Sequence, residues 1–316
     1  MTTKASNGAK RGKLGVGVLA IAAAAGLTTS AHAQGGEGTT TNFDPYANLP
    51  ASLSLTGVVR DFRDRSAAGG HPDFQRQPSG GFGHYVGMVA DELNEQGNPV
   101  FASTGRRVSS NWRDSMGRNI MPPRAHFPSI QGDTQGSLGS QSGALTSAEN
   151  FDQWFRDVPG VNASQQLPLT LVREAGTNRY VFNDRTDSAF SSLGGFFPIN
   201  GQMYGNYGSY NKNFHFTFEL DTEFVYQAGS GQVFTFTGDD DVWVFIDGKC
   251  VIDIGGVHSA VSQTVDLDRL AWLEDGQMYS LKFFFAERHT TQSNFRIETT
   301  IGLRTVRPPT TTALHD

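Results

Sequence analysis

Alternating apolar and polar residues dominate the second half of the chain. From Phe214 to Leu220 every second residue is apolar, so one face of a strand would carry three Phe side chains and one Leu. Further short candidates lie at 167–173, 180–182, 233–237, 242–246, 249–254, 279–286 and 295–301. Short strands joined by turns predict an all-β fold, an antiparallel β-sandwich of jelly-roll-like character.

Helical patterns are few and short. Residues 146–155 contain Ser147, a residue type that caps helices, and place Phe151, Trp154 and Phe155 at helical spacing. Residues 91–94 are a second candidate, for a single turn. The sequence therefore predicts few short helices beside the strands.

The Asp-Gly pair at 247–248 predicts a two-residue hairpin turn, because both central residues of that turn need a positive φ. Pairing Ile246 with Lys249 across the turn predicts Val244 opposite Val251. The turn therefore predicts the pairing register of the strands at 242–246 and 249–254.

Composition narrows the classes of partner. The 316 residues carry a formal net charge of −6, and the first 33 contain four positive charges and no acid. The rest of the chain is therefore more acidic still, which argues against binding nucleic acid or anionic membranes through bulk charge. The single cysteine, Cys250, excludes an internal disulfide and a CxxC site, and we expect it to be a small buried hydrophobe.

The first 33 residues have the pattern of a secretory signal peptide. A basic start precedes an apolar run at 14–27, and Ala31-His32-Ala33 supplies a small–x–small cleavage site. We expect a mature chain that begins at Gln34, has no membrane span and is secreted, extracellular or at the cell surface, with the periplasm as an alternative. The expected organisation is a flexible leader at 34–48, a β-sandwich domain at 49–304 with a flexible loop at 130–147, and a polar tail at 305–316.

Three adjacent carboxylates, Asp239, Asp240 and Asp241, lie between two apolar strands. Crowding of like charges raises carboxyl pKa values or requires a counter-cation. A hard divalent ion bound by carboxylate and carbonyl oxygens meets that need, and Ca²⁺ is the natural extracellular choice. The alternative is an ordinary solvated acidic turn.

A second polar segment, 287–294, connects two apolar strands. It is long for a tight hairpin and dense in hydrogen-bonding side chains, which suits the second wall of a metal or sugar site. The alternative is an exposed loop in which Glu287 and Arg288 are solvated. His258 and His289 belong to no HExxH or other close ligand pair, so zinc is not expected.

Long runs of the chain resemble the fibro-slime domain family. The resemblance rests on 234–258, which includes Gly238-Asp-Asp-Asp-Val-Trp243, and on 284–297, which includes Ala286-Glu-Arg-His-Thr-Thr291. Shorter matches at 56–62, 71–74 and 154–160 extend it over most of 53–302. It implies a β-sandwich of the protective-antigen type, found in yeast flocculins, adhesins, toxins and some glycosidases.

The resemblance also implies a ligand set. In lectins of this superfamily two adjacent Asp joined by a cis peptide hold a Ca²⁺ that contacts sugar hydroxyls, and the match places that pair at Asp239 and Asp240. A late loop supplies an Asn, for which Asn294 is the candidate. Asp241 stands where relatives often have a small residue, so which two of the three Asp bind metal stays open.

Four further residues in the matched runs are candidates to contact the ligand: His258, Glu287, Arg288 and His289. The expected function is an exported, non-enzymatic, calcium-dependent carbohydrate-binding or adhesion domain whose partner is a glycan or extracellular polysaccharide. One alternative is a self-associating structural subunit of a surface matrix or slime. Another is a polysaccharide hydrolase that pairs Glu287 with one of the aspartates.

Overall fold

Sixteen β-strands and one short α-helix form most of the regular structure of residues 44–306, the part of the chain that the computed structural model describes. The elements are β1 (Ser52–Phe62), β2 (Tyr85–Val86), β3 (Arg106–Ser110), β4 (Trp112–Arg113), β5 (Asn119–Ile120), β6 (Ser137–Leu138), α1 (Ala148–Phe151), β7 (Asn162–Arg173), β8 (Tyr180–Asn183), β9 (Phe216–Val225), β10 (Val233–Gly238), β11 (Asp241–Ile246), β12 (Lys249–Ile254), β13 (Val261–Asp266), β14 (Met278–Glu287), β15 (Phe295–Thr299) and β16 (Arg304–Thr305). Single 3-10 turns lie at Ser191–Leu193, Gly208–Tyr210 and Leu267–Arg269.

The main sheet has the strand order β12-β11-β14-β9-β1-β7-β8-β15-β10-β13, with β16 added to β9. Every pairing in it is antiparallel. The sheet folds over itself, because the Phe236 ring on β10 lies 5.6 Å from that of Phe283 on β14, and the Phe285 ring on β14 lies 5.1 Å from that of Phe295 on β15. The predicted all-β antiparallel sandwich is confirmed.

The core between the layers is aromatic. Phe216, Phe218 and Leu220 of β9 are buried as the alternation predicts, and Phe214 is also buried just before the strand begins. Burial of each such side chain contributes about 1.5–3 kcal/mol. The core therefore fixes the strand ends, and with them the loops that carry the polar residues.

The hairpin at Asp247-Gly248 forms as predicted, with φ of +52° and +75°. Ile246 pairs with Lys249, but a bulge between Val244 and Phe245 shifts the register, so Val244 lies opposite Ile252 and the predicted Val251 partner is wrong. A bulge places two residues opposite one, and alternation alone does not reveal it.

Two sequence expectations on local structure need correction. The helix is only Ala148–Phe151, with Ser147 accepting the Asn150 N–H as its cap, and it does not reach Phe155. Residues 91–94 form no helix; Glu92 instead bridges to Lys249 at the edge of the sheet. A bridge to another strand satisfies backbone groups as well as a helical turn does.

The segment 130–147 is more ordered by packing than its composition indicates. It contains β6, and Ala144 and Leu145 near its end are fully buried. The expected signal peptide, most of the leader and most of the tail lie outside the described residues. Within residues 44–306 no helix has the length and apolar character needed to cross a bilayer.

Candidate functional site

Asp239 and Asp240 lie where the chain passes from one layer of the sandwich to the other. β10 lies between β15 and β13, whereas β11 lies between β14 and β12, and these two residues alone separate β10 from β11. The peptide between them is cis, as the resemblance implies. Gly238 is required just before them, because a Cβ there would lie 2.1 Å from the Asn294 carbonyl oxygen.

Asn294 holds Asp239 from the facing loop. Its backbone N–H donates to Oδ1 and its side-chain Nδ2 donates to Oδ2, both at 2.6 Å. Arg185 in turn donates to the Asn294 side-chain oxygen. Burial raises the pKa of Asp239. Asn294 therefore lies against the aspartate pair and hydrogen-bonds to Asp239, and its predicted role as a metal ligand stays a prediction.

Asp240 is held by backbone groups. Oδ1 accepts the His258 N–H at 3.3 Å, and Oδ2 accepts the Arg288 N–H at 3.1 Å. Burial raises its pKa well above the usual range, and neighbouring Asp239 and Asp241 add to the rise against the opposing charge of Arg288. A carboxylate oxygen has two lone pairs. Each oxygen of Asp240 therefore keeps acceptor capacity after these single hydrogen bonds.

Asp241 and Arg288 form an ion pair in the interior, behind the aspartate pair. Arg288 Nε lies 2.5 Å from Asp241 Oδ2, and both side chains are fully buried. Asp241 Oδ1 also accepts the Gly256 N–H at 2.6 Å. The guanidinium donates to the Ala144 carbonyl and lies 5.2 Å from the Trp154 ring centroid. The pair fastens the site loops to the core, and both residues are fully used in that role.

Glu287 is the unusual group of the site. It has no exposed surface, and its carboxyl group faces the Ser293 hydroxyl and the His289 backbone N–H without a hydrogen bond of good geometry to either. Burial raises its pKa well above the usual value, and the nearby Asp240 and Asp239 raise it further. A buried carboxyl without good hydrogen bonds is unfavourable unless it holds a proton or meets a cation. The solvated loop proposed as the alternative for Glu287 and Arg288 is therefore wrong, since both are buried.

A cavity of about 250 Å³ opens in front of the aspartate pair. Four of the predicted residues line it: Asp239, Asp240, His258 and His289. Burial lowers the pKa of His258 to about 3, with the neighbouring His84 contributing, so this ring is neutral at pH 7. Asp241, Glu287, Arg288 and Asn294 do not line the cavity and lie behind or beside it.

Sequence reasoning missed one cavity residue of evident size, Phe82, which is 44% exposed. It comes from a segment more than 150 positions before the aspartates, far outside the two motifs. The available signal was local: Gly80-Gly81-Phe82-Gly83 places one large apolar residue among glycines. Such a pattern indicates a turn that presents the side chain to solvent.

The donor set fits a hard cation in part. Within residues 44–306 no three His, Cys, Asp or Glu side chains converge in the spacing of a metal centre. Ca²⁺ also takes amide and backbone carbonyl oxygens, so such a site does not need three of those side chains. The two aspartates at the cavity, with Glu287 buried behind them, bring together three carboxyl groups whose charge a single cation would offset.

Comparison with known proteins finds one family model that matches the part of the chain containing the site. Residues 199–312 match the family model described as PA14 domain. Both loops of the site fall inside this match. The fibro-slime identification is narrower than this match and stays a prediction.

The similar curated proteins include psiQ, psiD and psiH from Dictyostelium discoideum. The match to protein psiQ is 38% identical and covers 52% of this chain and 17% of psiQ. The match to protein psiD is 42% identical and covers 68% of this chain and 36% of psiD. The match to protein psiH is 33% identical and covers 80% of this chain and 31% of psiH. The chain therefore spans about a sixth to a third of these relatives.

A solved structure, the β-glucosidase from Kluyveromyces marxianus in complex with glucose, matches 29% of this chain and 11% of its own length. The sequence identity is 14% and the TM-score is 0.20. A similarity of that size supports no inference about this chain.

Proposed function

We propose that this chain is an exported carbohydrate-binding or adhesion domain of the fibro-slime type, and that its binding depends on Ca²⁺. The PA14 match over residues 199–312 supports the class, because domains of this kind occur in adhesins and lectins. The signal-like pattern of residues 1–33 supports export. The expected partner is a glycan.

One observation carries the proposal: Asp239 and Asp240 lie side by side at an open cavity, both with raised pKa values caused first by burial. Partly desolvated carboxylates next to one another favour a bound cation. In this proposal Asp239 and Asp240 hold the ion, loop carbonyls assist, and Asn294 positions Asp239 through its two hydrogen bonds. When bound, the ion supplies a hard acid that takes paired hydroxyl oxygens.

Asp241 has a different role in the proposal. Its oxygens are committed to Arg288 and to the Gly256 N–H, so it positions the loop and does not bind the ion. Arg288 does the same from the other side, and its backbone N–H orients Asp240. This division of roles supports Asp239 and Asp240 as the metal-binding pair among the three.

The proposal is non-enzymatic. Glycoside hydrolysis needs two carboxyl groups that flank the scissile bond in a cleft. Glu287 is fully buried and does not line the cavity, so it offers no acid to a bound glycan. The matrix-subunit alternative predicts instead a concentration-dependent rise in mass and no glycan signal.

The first test is calcium binding by the full-length chain. Thermal unfolding in Ca²⁺ and in chelator is compared for the wild type, Asp239→Asn, Asp240→Asn and a control, Asp152→Asn, whose side chain is 52% exposed. At 100 times Kd the ion should stabilise by about 2.7 kcal/mol, or roughly 5–10 °C. Each variant is compared with itself in chelator, because Asn replaces one of two accepting oxygens and can change the basal melting temperature. The site variants should lose the calcium shift, and the control should keep it.

The second test is glycan binding with and without Ca²⁺. A glycan array identifies the preferred terminal sugar, and titration calorimetry with methyl β-galactopyranoside and methyl α-mannopyranoside measures it, since both present adjacent cis hydroxyls. Sugar binding that chelator abolishes is the expected result. Absence of any calcium shift, or glycan binding unchanged in chelator, would refute the calcium-dependent mechanism. A mature N-terminus at Gln34 in the exported fraction tests the signal peptide.

A further inference from the structure

Phe82 is a large apolar side chain held at the rim of the cavity. It is 44% exposed and shares the cavity wall with Asp239 and Asp240. The ring meets that of His289 edge-on, at 5.1 Å between centroids. An isolated exposed Phe needs no explanation, but one that shares a wall with buried carboxylates forms an apolar surface beside a polar one.

The backbone fixes Phe82 in this position. Gly81 and Gly83 on either side have φ of +86° and +155°, conformations that suit glycine and few other residues. The Gly83 N–H donates to the Val257 carbonyl at 2.8 Å, and the Tyr85 hydroxyl donates to the Gly81 carbonyl at 2.8 Å. The loop is thus tied to the segment that carries His258, and the Phe82 ring has little freedom to turn into the core.

We propose that Phe82 is a specificity-determining residue, the platform on which a pyranose ring stacks while its hydroxyls face the aspartate pair. This inference rests on the proposed function. A pyranose has an apolar C–H face and a polar edge, and the cavity wall has the same two parts in Phe82 and in Asp239–Asp240. The ligand class is therefore a terminal pyranose with adjacent hydroxyls beside an uninterrupted C–H face.

The test uses the full-length chain in Ca²⁺ and four proteins: the wild type, Phe82→Ala, Phe82→Trp and Tyr210→Ala. Tyr210 is the matched control, because it is 48% exposed and lies outside the cavity. Titration with the two methyl glycosides should show roughly fivefold to tenfold weaker binding for Phe82→Ala, by the usual worth of an aromatic contact. Phe82→Trp should bind at least as well as the wild type, and Tyr210→Ala should equal it.

The calcium-induced thermal shift, measured in parallel, distinguishes a failure of the Phe82 platform from a failure of the proposed calcium-dependent function. Weaker sugar binding by Phe82→Ala with an undiminished calcium shift supports the platform. Equal sugar binding by Phe82→Ala and the wild type overturns the platform and leaves the proposed function intact. A wild type that shows the calcium shift but binds neither glycoside overturns the platform and the carbohydrate-binding proposal with it.

Discussion

Replacing Arg288 with methionine removes the cation that neutralises Asp241 in the interior. Both side chains are fully buried, so solvent does not screen the loss. Leaving one partner of a buried pair uncompensated costs about 3–5 kcal/mol. The guanidinium also donates to the Ala144 carbonyl and lies over Trp154, and the loss of those contacts acts in the same direction. We therefore expect Arg288→Met to lower the free energy of unfolding by roughly 3–5 kcal/mol.

Urea denaturation of the full-length chain measures this loss. The surface pair of Arg304, 61% exposed, with Glu223 supplies the control, since Arg304→Met should cost only about 0–1 kcal/mol. Asp241→Asn keeps an acceptor for the Gly256 N–H but carries no charge. The double variant of Arg288→Met with Asp241→Asn should therefore lose less than the sum of the two single losses, by about 0.5–3 kcal/mol.

Two results would refute this reasoning. If Arg288→Met costs no more than Arg304→Met, the pair is not the electrostatic fastening that its burial indicates. If the two single losses simply add in the double variant, Arg288 and Asp241 do not stabilise the fold through each other.

Three other features lead to predictions. Burial raises the pKa of Asp61 to about 7. The protonated carboxyl therefore stabilises the fold fully below its ordinary pKa near 4, and this stabilisation is lost as pH rises to about 7. Asp61→Asn should flatten that part of a profile of stability against pH, measured by urea denaturation. Gly238→Ala should lower the melting temperature and the calcium shift together, because its Cβ meets the Asn294 carbonyl, whereas an equal calcium shift would contradict the close approach. Cys250 has no exposed surface and burial raises its thiol pKa, so it should react with a thiol reagent only after unfolding; rapid reaction of the native protein would count against its burial.

Much of the fold could be predicted from local patterns in the sequence. The alternation through Phe216 and Phe218 and the Asp247-Gly248 turn each depend on neighbouring residues, and both are as expected in the structure. The bulge after Val244 is also local, but it depends on how side chains pack against the next strand. No period in the sequence marks it.

The site could be predicted only in part, because its parts come together through tertiary contacts. The carboxylate cluster indicated Asp239, Asp240 and Asp241 together, and only the family resemblance favoured the first two. The partner of Asp241 is Arg288, which the fold brings to it from 47 positions away. Phe82 was missed for the same reason. Adjacent like charges can be recognised in a sequence, whereas the opposite charge that neutralises them can come from a residue distant in sequence and is known only from the fold.

The two-residue link between β10 and β11 has a mechanical consequence. Its neighbours on either side hydrogen-bond to different strands, so Asp239 and Asp240 are the shortest covalent link between the two layers at that end of the sandwich, beside 255–260 and 288–294. A pull that separates the layers there loads this join and the Asn294 and Arg288 contacts that brace it. An occupant of the neighbouring cavity would contact this short link, so its binding should also raise the force needed to separate the two layers at that end.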